Sequence, residues 1–252
     1  MIRTFALASA LVLAPLGLAS TAHAFTIGAE VGISSLAPCP SFCGGSGATS
    51  GFTSDGGGGS SSAADILDDV RGYGEGEAGF DADLLPTLGA LANAEPNARV
   101  GVGATAYRAY THSGPATTMN LEVTLDGELS SAQVLDAQAR AVVSVILGTD
   151  LPHSTDVGSF RFEILPGEED LEELGFVDLS LDNNVGPHSK TGSISFDVAD
   201  GDTYFIWANL TASGTRDGTA DALDTLTMTF VPEPQAALLV VFGLAALAVR
   251  RR

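Results

Sequence analysis

The sequence predicts a mainly β protein: an antiparallel β-sandwich or jelly-roll-like exported domain, flanked by a signal peptide and a C-terminal transmembrane helix. Three observations predict it. Apolar and polar residues alternate with period two in segment after segment beyond residue 98, which is the pattern of strands with one buried and one wet face. Glycine-bearing turns separate those segments, at Asp126-Gly127, Leu165-Pro166-Gly167, Asp200-Gly201 and Asp217-Gly218. The continuous apolar runs that remain include one at each end of the chain.

The first run belongs to residues 1–24. Arg3 precedes an apolar stretch from Phe5 to Ala19, and Ala22-His23-Ala24 forms a small-residue cleavage site, so signal peptidase and the general export machinery are the expected partners there. FTIGAEVGI, which follows, reads as one strand. Residues 25–98 otherwise read as a loop-rich, Gly/Ser-rich and acidic part of the mature chain. Pro38–Gly59 has almost nothing to bury and reads as a long loop or linker. Within it, Cys39 and Cys43 form an even pair in an exported chain, consistent with a small disulfide loop, with two free thiols as the alternative. AADILDDV, from Ala63 to Val70, reads as a short helix before glycine and acid return in RGYGEGEAGFDADL.

Residues 99–230 carry the predicted sandwich core. Leu121, Val123 and Leu125 alternate with Glu122, Thr124 and Asp126, and Phe160, Phe162 and Ile164 alternate with Arg161 and Glu163. The same period marks Val177, Leu179 and Leu181, then Ile194, Phe196 and Val198, and finally Leu226, Met228 and Phe230 between threonines. AVVSVILG (141–148) and YFIWANL (204–210) are apolar on both faces and read as central strands. The acidic piece GEEDLEELG (167–175) reads as a single helical turn.

Charge narrows the functional classes. Residues 25–231 hold thirty acidic and seven basic residues. Such a surface repels nucleic acid, whose binding depends on neutralising phosphates with Lys and Arg. It is compatible with Ca²⁺ as a loosely gathered cation, although Asp68/Asp69 and Asp81/Asp83 do not have EF-hand spacing, and no metal site is assigned. His112, His153 and His188 all fall in predicted loops. The nearest approach to a nucleophile elbow, Gly44-Gly45-Ser46-Gly47-Ala48, lacks its final glycine. Acidic pairs such as Glu172/Glu173 follow from composition. No catalytic residue is assigned and no enzyme is expected. Tyr107, Tyr110, Phe205 and Trp207 are the aromatics that an exposed sugar-binding face would use. Asn209-Leu210-Thr211 matches a glycosylation sequon but falls inside a predicted strand.

Residues 231–252 read VPEPQAALLVVFGLAALAVRRR. The uncharged stretch from Ala236 to Val249 spans about 21 Å as a helix at ~1.5 Å per residue, short against a hydrocarbon core of ~30 Å. Arg250, Arg251 and Arg252 extend its reach by snorkelling and favour a cytoplasmic C-terminus. Val231-Pro232-Glu233-Pro234, the apolar segment and the arginine cluster, in that order at the chain end, resemble the PEP-CTERM sorting signal of Gram-negative bacteria. AYRAYTHSG, NLEVTLDGELS and GTADALDTLTMTF are similar to segments of the exported β-rich domains that carry such tails. The resemblance implies recognition by an exosortase near Pro232-Glu233-Pro234, with transient residence in the inner membrane. Delivery to the cell surface or into extracellular polysaccharide would follow. The function expected is that of an exported envelope, exopolysaccharide or biofilm-matrix protein with a structural or adhesive role. The alternatives are a carbohydrate-binding module and, third, a secreted hydrolase. A permanent single-span anchor is the other reading of the tail.

Overall fold

A computed structural model describes residues 27–36, 50–131, 136–148, 171–181 and 185–231. Twelve strands run through them. In chain order they are β1 (Ile27–Leu36), β2 (Ser50–Gly58), β3 (Ala63–Asp69), β4 (Gly72–Phe80), β5 (Pro86–Ala94) and β6 (Arg99–Thr111). Then come β7 (Thr117–Ser130), β8 (Ala137–Leu147), β9 (Glu172–Leu181), β10 (Gly186–Val198), β11 (Thr203–Thr215) and β12 (Thr219–Val231). They build two six-stranded sheets, in the orders β2-β1-β6-β11-β8-β9 and β10-β7-β12-β5-β4-β3. Every neighbouring pair is antiparallel.

The sheets stack face to face, with β2 over β3, β6 over β4 and β5, β11 over β5 and β12, and β9 over β10. The eight strands β5 to β12 alone give β10-β7-β12-β5 against β6-β11-β8-β9. That is the strand order of two Greek keys wrapped into a jelly roll. The hairpin β1–β2 widens one sheet beyond β6, and β3–β4 widens the other beyond β5.

The inner faces bury what the alternation predicts. Val31, Ile33, Val102, Val143, Ile206 and Leu210 face Leu88, Leu121, Val123, Leu125, Phe196 and Leu226 in one apolar core. Alanine paves much of the space between them, including Ala90, Ala92, Ala104, Ala106, Ala139, Ala141, Ala208 and Ala220, so there the sheets meet through methyl groups. A second apolar cluster lies on the opposite face of β8 and β11. Val142, Ile146, Phe205 and Trp207 are buried there, with Tyr107, Ala109 and Leu171 packed against them. Both faces of β8 and β11 are therefore apolar, which is why their sequences run without alternation.

Several local expectations are overturned, among them the turn expected at Asp126-Gly127 and the loop expected at His188, which lie inside β7 and β10 and pair with each other there. Residues 25–98 are not mainly loop, because they supply five strands, and β1 and β5 each lie between two partners. Ser50–Gly58, read as linker, is the edge strand β2, paired residue for residue with β1. Ala63–Asp69, read as helix, is β3, whose pairing with β4 overrides a weak local preference. In β4 the alternation is present but written in small residues. Gly72, Gly74, Gly76 and Ala78 point inward while Tyr73, Glu75 and Glu77 point out. A Cβ on Gly74 would stand 2.6 Å from Ile33 Cγ2, and one on Gly76 would stand 2.6 Å from Val31 Cγ1. Glycine here is a packing residue, and a hydrophobicity reading does not see it. Glu172 and Glu173, expected in a helical turn, open strand β9. The strand expected at Phe160–Ile164 lies outside the described residues.

Candidate functional site

The chain leaves the sandwich through β12, which lies inside its sheet between β7 and β5. Its register slips between Ala222 and Leu226 against β5 and between Asp221 and Leu226 against β7, so the strand bulges midway along its length. Beyond Leu226 it pairs with β7 up to Val231 opposite Asn120. β5 begins at Pro86 and reaches β12 at Leu88 opposite Leu226. Phe230 turns inward and packs against the core. Val231 is 43% exposed, and Pro232 is the next residue in sequence. Pro232, Glu233, Pro234 and Arg250 to Arg252 lie outside the described residues, as do Ala22, Ala24, Cys39, Cys43 and His153.

Ile27 and Val231 emerge at the same end, because Ile27 pairs with Arg108 near the close of β6 and Val231 with Asn120 near the start of β7. Aromatic side chains plug the core at that end. Tyr110 stacks on Tyr204 at 5.6 Å and meets Phe230 edge-on at 6.5 Å, and Phe196 lies 5.3 Å from Tyr204. The Tyr110 hydroxyl donates to the Leu84 carbonyl at 2.5 Å. Burial pushes the Tyr204 phenol up to about 12, and burial raises Tyr110 further still.

Carboxylates at this end are used to shape turns. Asp81 Oδ1 accepts from the backbone N–H groups of Asp83 at 2.9 Å and Leu85 at 2.8 Å. Asp200 accepts from Gly114 N at 3.0 Å, and Asp202 from Ala199 N at 2.7 Å. At the opposite end Asp69 accepts from Ser35 Oγ at 2.8 Å, from Arg71 Nε at 2.9 Å and from the Arg71 amide at 2.8 Å. The Arg71 guanidinium beside it holds the Asp69 carboxyl down at about 2. Its neighbour Asp68 points outward and is exposed. Glu173 accepts from Ser144 Oγ at 3.0 Å. Among the described residues no three His, Cys, Asp or Glu side chains converge closely enough to hold a metal ion.

The histidines and aromatics are dispersed by the topology. His112 follows β6 at the tail end of the sandwich, its Nε2 at 3.0 Å from the Pro115 carbonyl, while His188 lies near the start of β10 at the other end. Trp207 is 1% exposed and Phe205 fully buried in the outer cluster, and Tyr110 belongs to the core plug. Tyr107 is half-buried, its ring lying over Gly28. These four make no exposed aromatic platform. Asn209 of the sequon is 1% exposed, and its Nδ2 donates to Thr105 Oγ1 at 2.8 Å.

One surface was not anticipated from the sequence. On the outer face of the second sheet β10 presents Ser189, Thr191, Ser193 and Ser195, and β7 beside it presents Asn120, Glu122 and Thr124. Thr227 of β12 pairs with Thr124, which pairs with Thr191, and the Thr124 and Thr191 hydroxyls are 3.1 Å apart. Alternation marks each strand, but only the Greek-key order places these three side by side. Two further side-chain pairs also depend on the fold. Asp136, 3% exposed, accepts from Arg216 at 2.6 Å, and Asp178 accepts from Arg140 Nε at 2.9 Å.

Among the described residues no helix is long and apolar enough to cross a membrane, and the apolar tail segment lies outside them. No protein-family model matches the chain, and no curated protein matches it.

Proposed function

We propose that this chain is an exported, non-enzymatic envelope or extracellular-matrix protein, processed at Pro232-Glu233-Pro234 by an exosortase and serving a structural or adhesive role. The observation that carries the reading is the order of parts at the C-terminus. A paired strand, β12, ends at Val231, and the proline-acid-proline triplet, an uncharged segment and three arginines follow directly. Two prolines within three residues resist both helix and sheet, which favours extended backbone that a processing enzyme can read. The apolar segment and arginines supply a marginal membrane stop. The sandwich would then stand outside the membrane, with the aromatic-plugged end nearest to it.

The hydroxyl-rich outer face of β10, β7 and β12 supports the adhesive part. Side-by-side hydroxyls, interrupted by carboxylates, suit hydrogen bonding to a hydrated polymer such as exopolysaccharide, directly or through bridging water. The burial of Phe205 and Trp207 weighs against sugar stacking, and the separation of His112 from His188 weighs against a hydrolytic centre built on both. The test is mass spectrometry of the C-terminus of surface-released protein, with and without Pro232, Glu233 and Pro234 replaced by Ala. A native chain ending near the triplet, and retention of the substituted chain, are expected. Recovery of released native chain intact through Arg252 sinks the reading.

A further inference from the structure

We propose that the sandwich itself gates the processing of its tail: β12 must detach from β7 back through Phe230 before an enzyme can take the residues on the body side of Pro232. This rests on the reading of Pro232-Glu233-Pro234 as a processing signal. An enzyme that cuts or exchanges a peptide bond holds the chain extended over several residues on either side of that bond. On the body side those residues are already engaged. Thr229, Phe230 and Val231 pair with Glu122, Leu121 and Asn120 of β7, and no residue separates Val231 from Pro232. Phe230 is a second hold, because its ring meets Tyr110 edge-on at 6.5 Å, while Tyr110 is stacked on Tyr204 and tied to the Leu84 carbonyl.

Release is nevertheless local. β5 pairs with β12 as far as Leu88 opposite Leu226, while β7 pairs on to Val231, so the last residues of β12 are held by β7 and by the Phe230 ring. Stripping three residues from the end of a strand leaves both sheets and their alanine-paved core in place. When opening is fast relative to cleavage, the observed rate scales with the open fraction. The tail is thereby processed at a pace set by the fraying of β12.

The experiment follows tail removal by pulse–chase in the producing cells, using the full-length chain. Four versions are compared: native, a ten-residue Gly/Ser insertion between Val231 and Pro232, Phe230→Ala, and Val31→Ala as a core lesion in β1, away from the exit. The insertion and Phe230→Ala should each shorten the half-time about threefold or more, while Val31→Ala stays within about twofold of native. An insertion that leaves the half-time unchanged, while Pro232→Ala/Pro234→Ala still blocks processing, overturns the gate and leaves the signal standing. Acceleration by Val31→Ala equal to that by Phe230→Ala also overturns it, because the cause is then global loosening. Absence of tail removal in both native and inserted chains overturns the signal, and the gate with it.

Discussion

Gly76→Val tests whether a glycine-rich segment is a packed strand. A Cβ at Gly76 would stand 2.6 Å from Val31 Cγ1 and 2.9 Å from Val102 Cγ1, on two neighbouring strands of the facing sheet. Favourable carbon–carbon contact lies at about 3.5–4.0 Å, so the first added atom is roughly 1 Å too close, and valine adds two more. Overpacking of this kind costs about 1–3 kcal/mol. Against it stands a gain of about 0.4–1 kcal/mol from restricting the unfolded chain when glycine is replaced. The clash wins, and the expected net loss is about 1–2 kcal/mol, or roughly 2–4 °C in Tm for each kcal/mol in a domain of this size. The sole tryptophan, Trp207, is 1% exposed and reports unfolding by its fluorescence. Val31→Ala removes the obstructing methyl groups and by itself costs about 1.6 kcal/mol at ~0.8 per carbon. In the double variant the losses should fall short of additive by about 1 kcal/mol. A Gly76→Val protein as stable as the native one, or a strictly additive cycle, refutes the packing of β4 beneath β1 and β6.

Other outcomes follow from the same geometry. The Asp69 carboxyl is depressed from 3.8 to about 2, chiefly by the Arg71 hydrogen bond, so its contribution is present above pH 4 and is lost as pH falls toward 2. Asp69→Asn should therefore lower Tm at neutral pH and converge with the native protein near pH 2. The Tyr204 phenol has the opposite sign: raised by burial from 10.0 to about 12, it makes stability decline as pH climbs through that interval. Ultraviolet titration of the folded protein should show its phenolate appearing late, and Tyr204→Phe should flatten the decline. Asn209→Ala strands the Thr105 hydroxyl in a buried setting and should cost about 1–3 kcal/mol in urea denaturation. The native sequon should stay unmodified in a glycosylating host, because Asn209 is 1% exposed.

Legibility along the chain follows side-chain size. β7, β10 and β12 announce themselves because their inward residues are Leu, Val, Ile, Phe and Met against Thr, Ser and acid. β4 obeys the same period with glycine and alanine inside, so its inward face carries almost no hydrophobic signal, and the close approach of Val31 and Ile33 supplies the burial instead. β3 fails for another reason. Its seven residues are too few for either periodicity to prevail, and pairing with β4 decides the outcome. The aromatics show the same limit, since nothing in YFIWANL distinguishes an exposed stacking platform from the buried outer cluster that holds Phe205 and Trp207.

By itself the sequence determined the β class, the turns at Asp200-Gly201 and Asp217-Gly218, the acidic composition and the order of motifs at the two ends. All of these are encoded in neighbours along the chain, where period, composition and spacing act directly. The tertiary structure alone decided which strands lie side by side. It brought the hydroxyls of Thr227, Thr124 and Thr191 into one row, closed glycine-rich β4 against β1, and set Val231 at the rim of a paired strand. Those outcomes depend on contacts between residues far apart in the chain, and a Greek-key order is chosen by the burial of whole faces, which no local window contains.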